Sequence, residues 1–115
     1  MFGIQEIDST RLAEMVAANE EDYLLVDVRT HAETAQGMLA GAQVVPMHLV
    51  PLRLEEWRNR KKIVVYCRTG ARSGQVCAWL QQQGVEQAIN LSGGIVDWHR
   101  QGYPVEKPDN IGLAS

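Results

Sequence analysis

Two cysteines are all the thiol this chain of 115 residues holds, and Cys67 and Cys77 lack the C-x-x-C spacing of a zinc site or a thioredoxin-type redox pair. Disulfide staples are not expected, and a reducing cytoplasm is the expected location. A single domain of this length does not need them, because it buries roughly two-thirds of the surface its unfolded form exposes. Long apolar runs are also missing. The longest cover a few residues, against the roughly 20 that a membrane-crossing helix needs, so no membrane is expected as a partner. Positive charge is scarce: 11 Lys and Arg stand against 14 Asp and Glu, for a formal net charge of -3. No basic stripe runs along any segment, which argues against nucleic acid as a partner. Met1 to Asp8 carries acids and no basic stretch, so it does not read as a signal peptide.

What is present is a globular composition, 45% hydrophobic and 22% charged, without repeats or low-complexity segments. "YLLVDVR" and "KKIVVYC" are short, continuous and rich in β-branched residues. Neither alternates apolar with polar, which suits strands covered on both faces. "AQVVP" reads as a short strand closed by Pro46, and "QAINL" as another. "DSTRLAEMVAAN" offers Asp8 or Ser9 as an N-cap, followed by Leu12, Met15 and Val16 at helical spacing. "HAETAQG" reads as a short helix ending at Gly37, and "LVPLRLEEW" as a helix that Pro51 kinks or delays. "ARSGQVCAWLQQQG" places Val76, Cys77 and Leu80 on one face and stops at Gly84, and "GIVDWHRQG" reads as the last helix. Strands and helices alternate, so the expected fold is a three-layer α/β domain with a mainly parallel sheet. The domain is expected over residues 1–107, with 108–115 as a tail.

In such sheets, sites form where strands end and loops lead into helices. Cys67 stands at that place in "VVYCRTGARSG". The loop runs into a helix N-terminus, with unpaired N–H groups and a positive dipole end. Gly70 permits a backbone turn that points N–H groups inward as an anion-binding nest. Arg68 and Arg72 add positive charge. Each effect favours thiolate over thiol, so Cys67 reads as a nucleophile in an anion cradle. A buried free cysteine that merely ends a strand is the plainer alternative.

The motifs "DVR" at 27–29, Glu33, "GMLAGA" at 37–42, Pro46, "VVYCRTGARS" at 64–73, "LSGGIVDW" at 91–98 and "GYPV" at 102–105 together resemble a single-domain rhodanese. The resemblance covers nearly the whole chain. It implies a rhodanese-like fold with a central five-stranded parallel sheet flanked by helices. It also implies a sulfurtransferase in which Cys67 accepts sulfane sulfur as a persulfide and passes it on. Thiosulfate or a persulfide is the implied donor, and cyanide or an acceptor thiol the implied acceptor. A sulfur-carrier protein is a further candidate partner. Arg68, Thr69, Gly70, Ala71, Arg72 and Ser73 form the implied substrate cradle, with Arg72 expected as the chief anion contact. Neither a metal nor an organic cofactor is called for. Two positions depart from the family's usual "GHIPGA" box, Met38 in place of His and Ala40 in place of Pro. Thr34 stands where an aromatic residue is common.

Asp27, Arg29 and Glu33 are expected to support the site, with a buried Asp27 bonded to loop backbone or to Arg29. A cysteine phosphatase or arsenate reductase is the rival reaction class. Those enzymes share C-x5-R, whereas Cys67 and Arg72 are spaced C-x4-R, a shorter loop suited to one sulfur atom. A non-catalytic rhodanese module would commonly lack the cysteine. A Cys–His hydrolase using His31, His48 or His99 is the weakest alternative. Cys77, Trp57, Trp79 and Trp98 read as packing residues. The basic run Arg58, Arg60, Lys61 and Lys62 reads as a solvated loop, with docking of an acidic carrier the lesser reading.

Overall fold

Strands β1 (Gln5–Ile7), β2 (Leu24–Asp27), β3 (Gln43–Val44), β4 (Ile63–Tyr66) and β5 (Ala88–Leu91) form one sheet in the order β1-β5-β4-β2-β3. Every pairing is parallel. The computed structural model describes residues 3–108. Helices α1 (Ser9–Ala17), α2 (His31–Thr34), α3 (Leu54–Trp57), α4 (Ala71–Gln82) and α5 (Gly94–Arg100) cover the sheet. The fold is therefore the α/β architecture with a five-stranded parallel sheet that the sequence points to. Among the described residues, no helix is long and apolar enough to cross a membrane.

The continuous apolar runs are continuous because both faces are covered. All four residues of β2, β4 and β5 are buried. Successive side chains point to opposite faces. Val26, Val28, Ile63, Val65 and Cys67 therefore pack with Val76, Cys77 and Leu80 of α4 and with Trp57. Leu25, Val64, Tyr66 and Leu91 pack on the other face with Leu12 and Met15 of α1 and with Ile95 and Trp98 of α5. Burying one such side chain contributes about 1.5–3 kcal/mol, so these two layers hold the strand ends in place.

Several local expectations are corrected. The polar edge strand β1 is not among the strands read from the sequence. It owes its existence to pairing with β5, where Glu6 lies opposite Asn90. "AQVVP" supplies only two assigned strand residues, although the Val45 N–H still donates to Asp27 O at 2.9 Å. In "LVPLRLEEW", by contrast, the late start expected from Pro51 is found. Met47–Arg53 is a 3-10 helix containing Pro51, and α3 begins only at Leu54, since proline cannot donate the bond an α-helix interior needs. Helix α2 stops at Thr34, ahead of Gly37. Asp8, not Ser9, caps α1 by accepting from the Arg11 N–H at 2.8 Å, while Ser9 is buried and donates to Asp97 Oδ2 at 3.0 Å. The signal-peptide reading includes residues 1–2, and nearly all of the tail assignment falls on 109–115. Those positions lie outside the described residues.

Candidate active site

Strand β4 ends at Tyr66 and α4 starts at Ala71, so Cys67 opens a four-residue loop at the carboxyl edge of the sheet. The cysteine is 1% exposed. Gly70 has φ 103°, the left-handed conformation that glycine adopts without strain, and this aims its N–H back at the sulfur. Gly70 N lies 3.1 Å and Ser73 N 3.4 Å from Cys67 Sγ, with Ser73 Oγ at 3.3 Å. Burial pushes the thiol up. The Ser73 hydroxyl and the N–H groups of Ser73, Gly70 and Thr69 outweigh that burial and hold it below the ordinary thiol value.

The loop is pinned from α5. Ile95 N donates to Cys67 O at 3.0 Å and Val96 N to Arg68 O at 3.1 Å. Gly94, at φ 59°, makes this approach feasible: a Cβ there would stand 2.6 Å from the Cys67 carbonyl oxygen. This is the physical content of the "GG" in "LSGGIVDW". The sequence shows the glycines but not what they touch.

Arg72, expected as the chief anion contact, is paired with a carboxylate. Its Nη1 and Nη2 bond Glu33 Oε1 and Oε2 at 2.8 and 2.7 Å, a parallel fork on a half-buried pair. The guanidinium bond holds the Glu33 carboxyl down to about 2, against the push of burial, with help from Thr30. Thr30 and Glu33 form a capping box at the start of α2, which fixes where Glu33 points. Arg72, in the first turn of α4, is thus half of an ion pair, and its remaining N–H groups have no other partner among the described residues.

Asp27 and Arg29 act one layer further back. Asp27, fully buried, accepts from Arg29 N at 2.9 Å, from Nε at 3.0 Å and from Nη2 at 2.7 Å. Arg29 Nη2 also donates to Gly37 O at 2.6 Å, and its guanidinium lies 5.8 Å from the centre of the Tyr66 ring. This buried pair ties the end of β2 to the segment after α2 and so carries Glu33 to Arg72.

Arg68, Thr69 and Ala71 are exposed, and Arg68 contributes its carbonyl to α5 rather than a guanidinium to the sulfur. His31, His48 and His99 are exposed, and none is bonded to Cys67 among the described residues. His31 and His48 instead line, with Arg72 and Met47, a cavity of about 400 Å3 beside the loop mouth. The Cys–His reading has no geometry behind it. Met38 makes a bridge to Glu106, its N–H donating to Glu106 O at 2.8 Å, so the altered box is a backbone strut. The basic run precedes β4, at the end of the sheet away from Cys67, and Arg58, Lys61 and Lys62 pair there with Glu55, Asp22 and Glu20. Sequence reasoning missed Asn90 altogether. It is buried on β5, its Oδ1 lying 2.6 Å from Ser73 Oγ.

The loop between β4 and α4 is thus short, and its donors close on the single sulfur of Cys67. The family description that matches residues 8–101 is the rhodanese-like domain. The chain belongs to that family. It is 50% identical over 106 residues to a protein of Allochromatium vinosum named sulfurtransferase, covering 92% of this chain and 98% of that one. A putative sulfurtransferase of Bacillus subtilis is 38% identical, covering 88% of this chain and 96% of that one. Among solved structures, a rhodanese-like domain from Anabaena superposes with a TM-score of 0.79 at 26% identity, covering 89% of this chain and 78% of that one.

Proposed function

We propose that this rhodanese-like protein is a sulfurtransferase that carries sulfane sulfur as a Cys67 persulfide, from thiosulfate or a persulfide donor to a thiophilic acceptor. The observation that carries the proposal is the convergence of Gly70 N, Ser73 N and Ser73 Oγ on one buried sulfur at the start of α4. Kinship with two proteins named as sulfurtransferases supports the reaction class.

The chemistry balances without a cofactor. Cys67 thiolate attacks the outer sulfur of thiosulfate, an S–S bond forms at Sγ, and the bond to sulfite breaks with sulfite taking the electron pair. The persulfide that remains is anionic at its outer sulfur. N–H groups in the first turn of α4 lack helical partners, and they face that charge as oxyanion-hole donors face an oxyanion. Cyanide, or an acceptor thiolate, then bonds the outer sulfur, and Cys67 thiolate leaves. Two half-reactions imply ping-pong kinetics.

The test is the mass of the intact protein after incubation with thiosulfate. The native chain gains one sulfur that cyanide removes, and Cys67→Ser gains none. An aryl phosphate is not hydrolysed. Inserting one glycine between Thr69 and Gly70 lengthens the loop and lowers sulfur loading, because the donors no longer meet at one point. Hydrolysis of the aryl phosphate by the native protein would overturn the assignment in favour of a phosphatase.

A further inference from the structure

Ser73 has one hydroxyl proton and two neighbours that compete for it. Its Oγ lies 3.3 Å from Cys67 Sγ and 2.6 Å from Asn90 Oδ1. The amide of Asn90 cannot be turned to remove the conflict. Its Nδ2 lies 2.9 Å from Glu6 Oε2 and 3.2 Å from Gly70 O, both acceptors, so the nitrogen belongs there and the oxygen faces Ser73. Ser73 is fully buried and Asn90 is 3% exposed, so water does not supply a second proton.

We propose that Asn90 is a positioning residue for the Cys67 chemistry: it competes with the sulfur for the Ser73 hydroxyl proton and so sets how readily Cys67 becomes a thiolate. With Cys67 as a thiol, the S–H donates to Ser73 Oγ and Ser73 donates to Asn90. When the proton on sulfur leaves to solvent, the lone pairs of Ser73 Oγ would face an anion. The hydroxyl therefore rotates, gives its proton to Sγ, and leaves Asn90 Oδ1 without a donor. The lost Asn90 bond offsets part of the stabilisation that the cradle gives the thiolate. A moderated thiolate is useful, because an over-stabilised one is a weak nucleophile and the best attacking thiol has a pKa near the ambient pH. Among the described residues, the other ionisable groups around the site are Arg72 with its partner Glu33, Cys77 on α4, Glu6 on β1 behind Asn90, and the Asp27–Arg29 pair at the end of β2, the strand beside β4. The Asn90 variants substitute none of them, but they take the Nδ2 donor from Glu6 and from Gly70 O, an effect that the Ser73→Ala background holds constant.

The proposal deepens the reading of Cys67 as a sulfur carrier, but its test needs no sulfur donor. The rate of Cys67 alkylation by iodoacetamide is followed against pH, all variants carrying Cys77→Ala. Asn90→Leu keeps the γ-branched shape and removes the competing acceptor, so the midpoint falls by about half to one pH unit, a roughly three- to tenfold rise in thiolate on the acid side. Asn90→Ala moves it in the same direction. In a Ser73→Ala background neither substitution shifts the midpoint, because there is no proton to compete for. An unchanged or raised midpoint in a folded Asn90 variant overturns the proposal. An equal fall with and without the Ser73 hydroxyl overturns it too, since Asn90 would then act through Gly70 or Glu6. Should both Asn90 variants unfold, the protein with native Asn90 and Ser73 decides: its Cys67 S–H infrared stretch lies at the hydrogen-bonded position and moves to the free position in Ser73→Ala. No movement overturns the proposal. A protein that passes these tests yet takes no sulfur from any donor would leave Asn90's role standing and sink the sulfurtransferase reading.

Discussion

Arg72 and Glu33, 39 residues apart in the chain, join the first turn of α4 to α2 through two parallel hydrogen bonds of 2.8 and 2.7 Å. The pair makes the role of Arg72 divisible by experiment. As an anion contact, Arg72 lost to alanine weakens thiosulfate use about tenfold in kcat/KM, the worth of one partly solvated charged hydrogen bond. Glu33→Gln then leaves KM equal or lower, because the guanidinium keeps its charge and loses a competing carboxylate. If Arg72 only braces the loop, both variants lose stability and neither changes KM selectively. Steady-state kinetics on the two variants separates these cases.

The same pair carries a pH signature. Glu33 sits at about 2 when folded, below its ordinary value of 4.5. A depressed carboxylate contributes stability that is fully present above the unfolded value and is lost as pH falls through the folded one. Glu33→Gln therefore melts below the native protein at pH 7, and the gap closes between about pH 4.5 and pH 2. Because both partners are about one-third exposed, solvent screening holds the gap to about 1 kcal/mol, or roughly 4 °C in Tm. A gap of constant size from pH 7 to pH 2, read by circular dichroism melts, would remove the ion pair as its cause.

Gly94 makes a sharper case from sterics. A methyl group there meets the Cys67 carbonyl oxygen at 2.6 Å, and φ is 59°. Gly41, at φ 82°, has nothing within 4 Å of an added Cβ. Both alanine variants carry the left-handed backbone strain of about 1–2 kcal/mol, and only Gly94→Ala adds a clash with the nucleophile's own backbone. Gly94→Ala is thus the less stable of the two, and it alone loses sulfur loading. Chemical denaturation and intact mass measure the two effects separately. Equal behaviour of both variants would show that α5 does not pin the loop.

What the sequence disclosed follows from the range of the physics involved. The β4–loop–α4 unit is legible because its signals are local: an apolar run, a thiol, a glycine and a helical face within 20 or so residues of chain. Strand β1 is not, because "QEI" has no pattern of its own and is a strand only beside β5. The fork between Glu33 and Arg72, the seat of Gly94 on Cys67 and the hold of Asn90 on Ser73 all join distant segments. Each residue is ordinary where it stands in sequence, and its role exists only once the parallel sheet brings the strand ends together. The Arg72 expectation was drawn from charge near the loop, and charge alone does not reveal that a carboxylate already occupies it.

The two cysteines share one core cluster on the same face of the sheet, yet their surroundings drive them apart. Cys67 has its burial outweighed by donors from the loop and from the start of α4. Cys77 sits six residues beyond Ala71, roughly 9 Å further along the helix axis, where burial pushes its thiol up to about 12, with Glu6 and Cys67 adding to the rise. At neutral pH it is a thiol packed among valines and leucines, with no thiolate to attack a donor or resolve a persulfide. Alkylation at pH 7 should therefore label Cys67 alone in the folded protein and both cysteines in denaturant, as read by peptide mapping. Cys77→Ala removes one buried sulfur and costs about 1–2 kcal/mol of stability as a cavity, while kcat for sulfur transfer stays within about twofold. A folded Cys77→Ala that loads sulfur but fails to release it would mean that the second thiol takes part in turnover, and that the separation of the two environments is not the reason for having both.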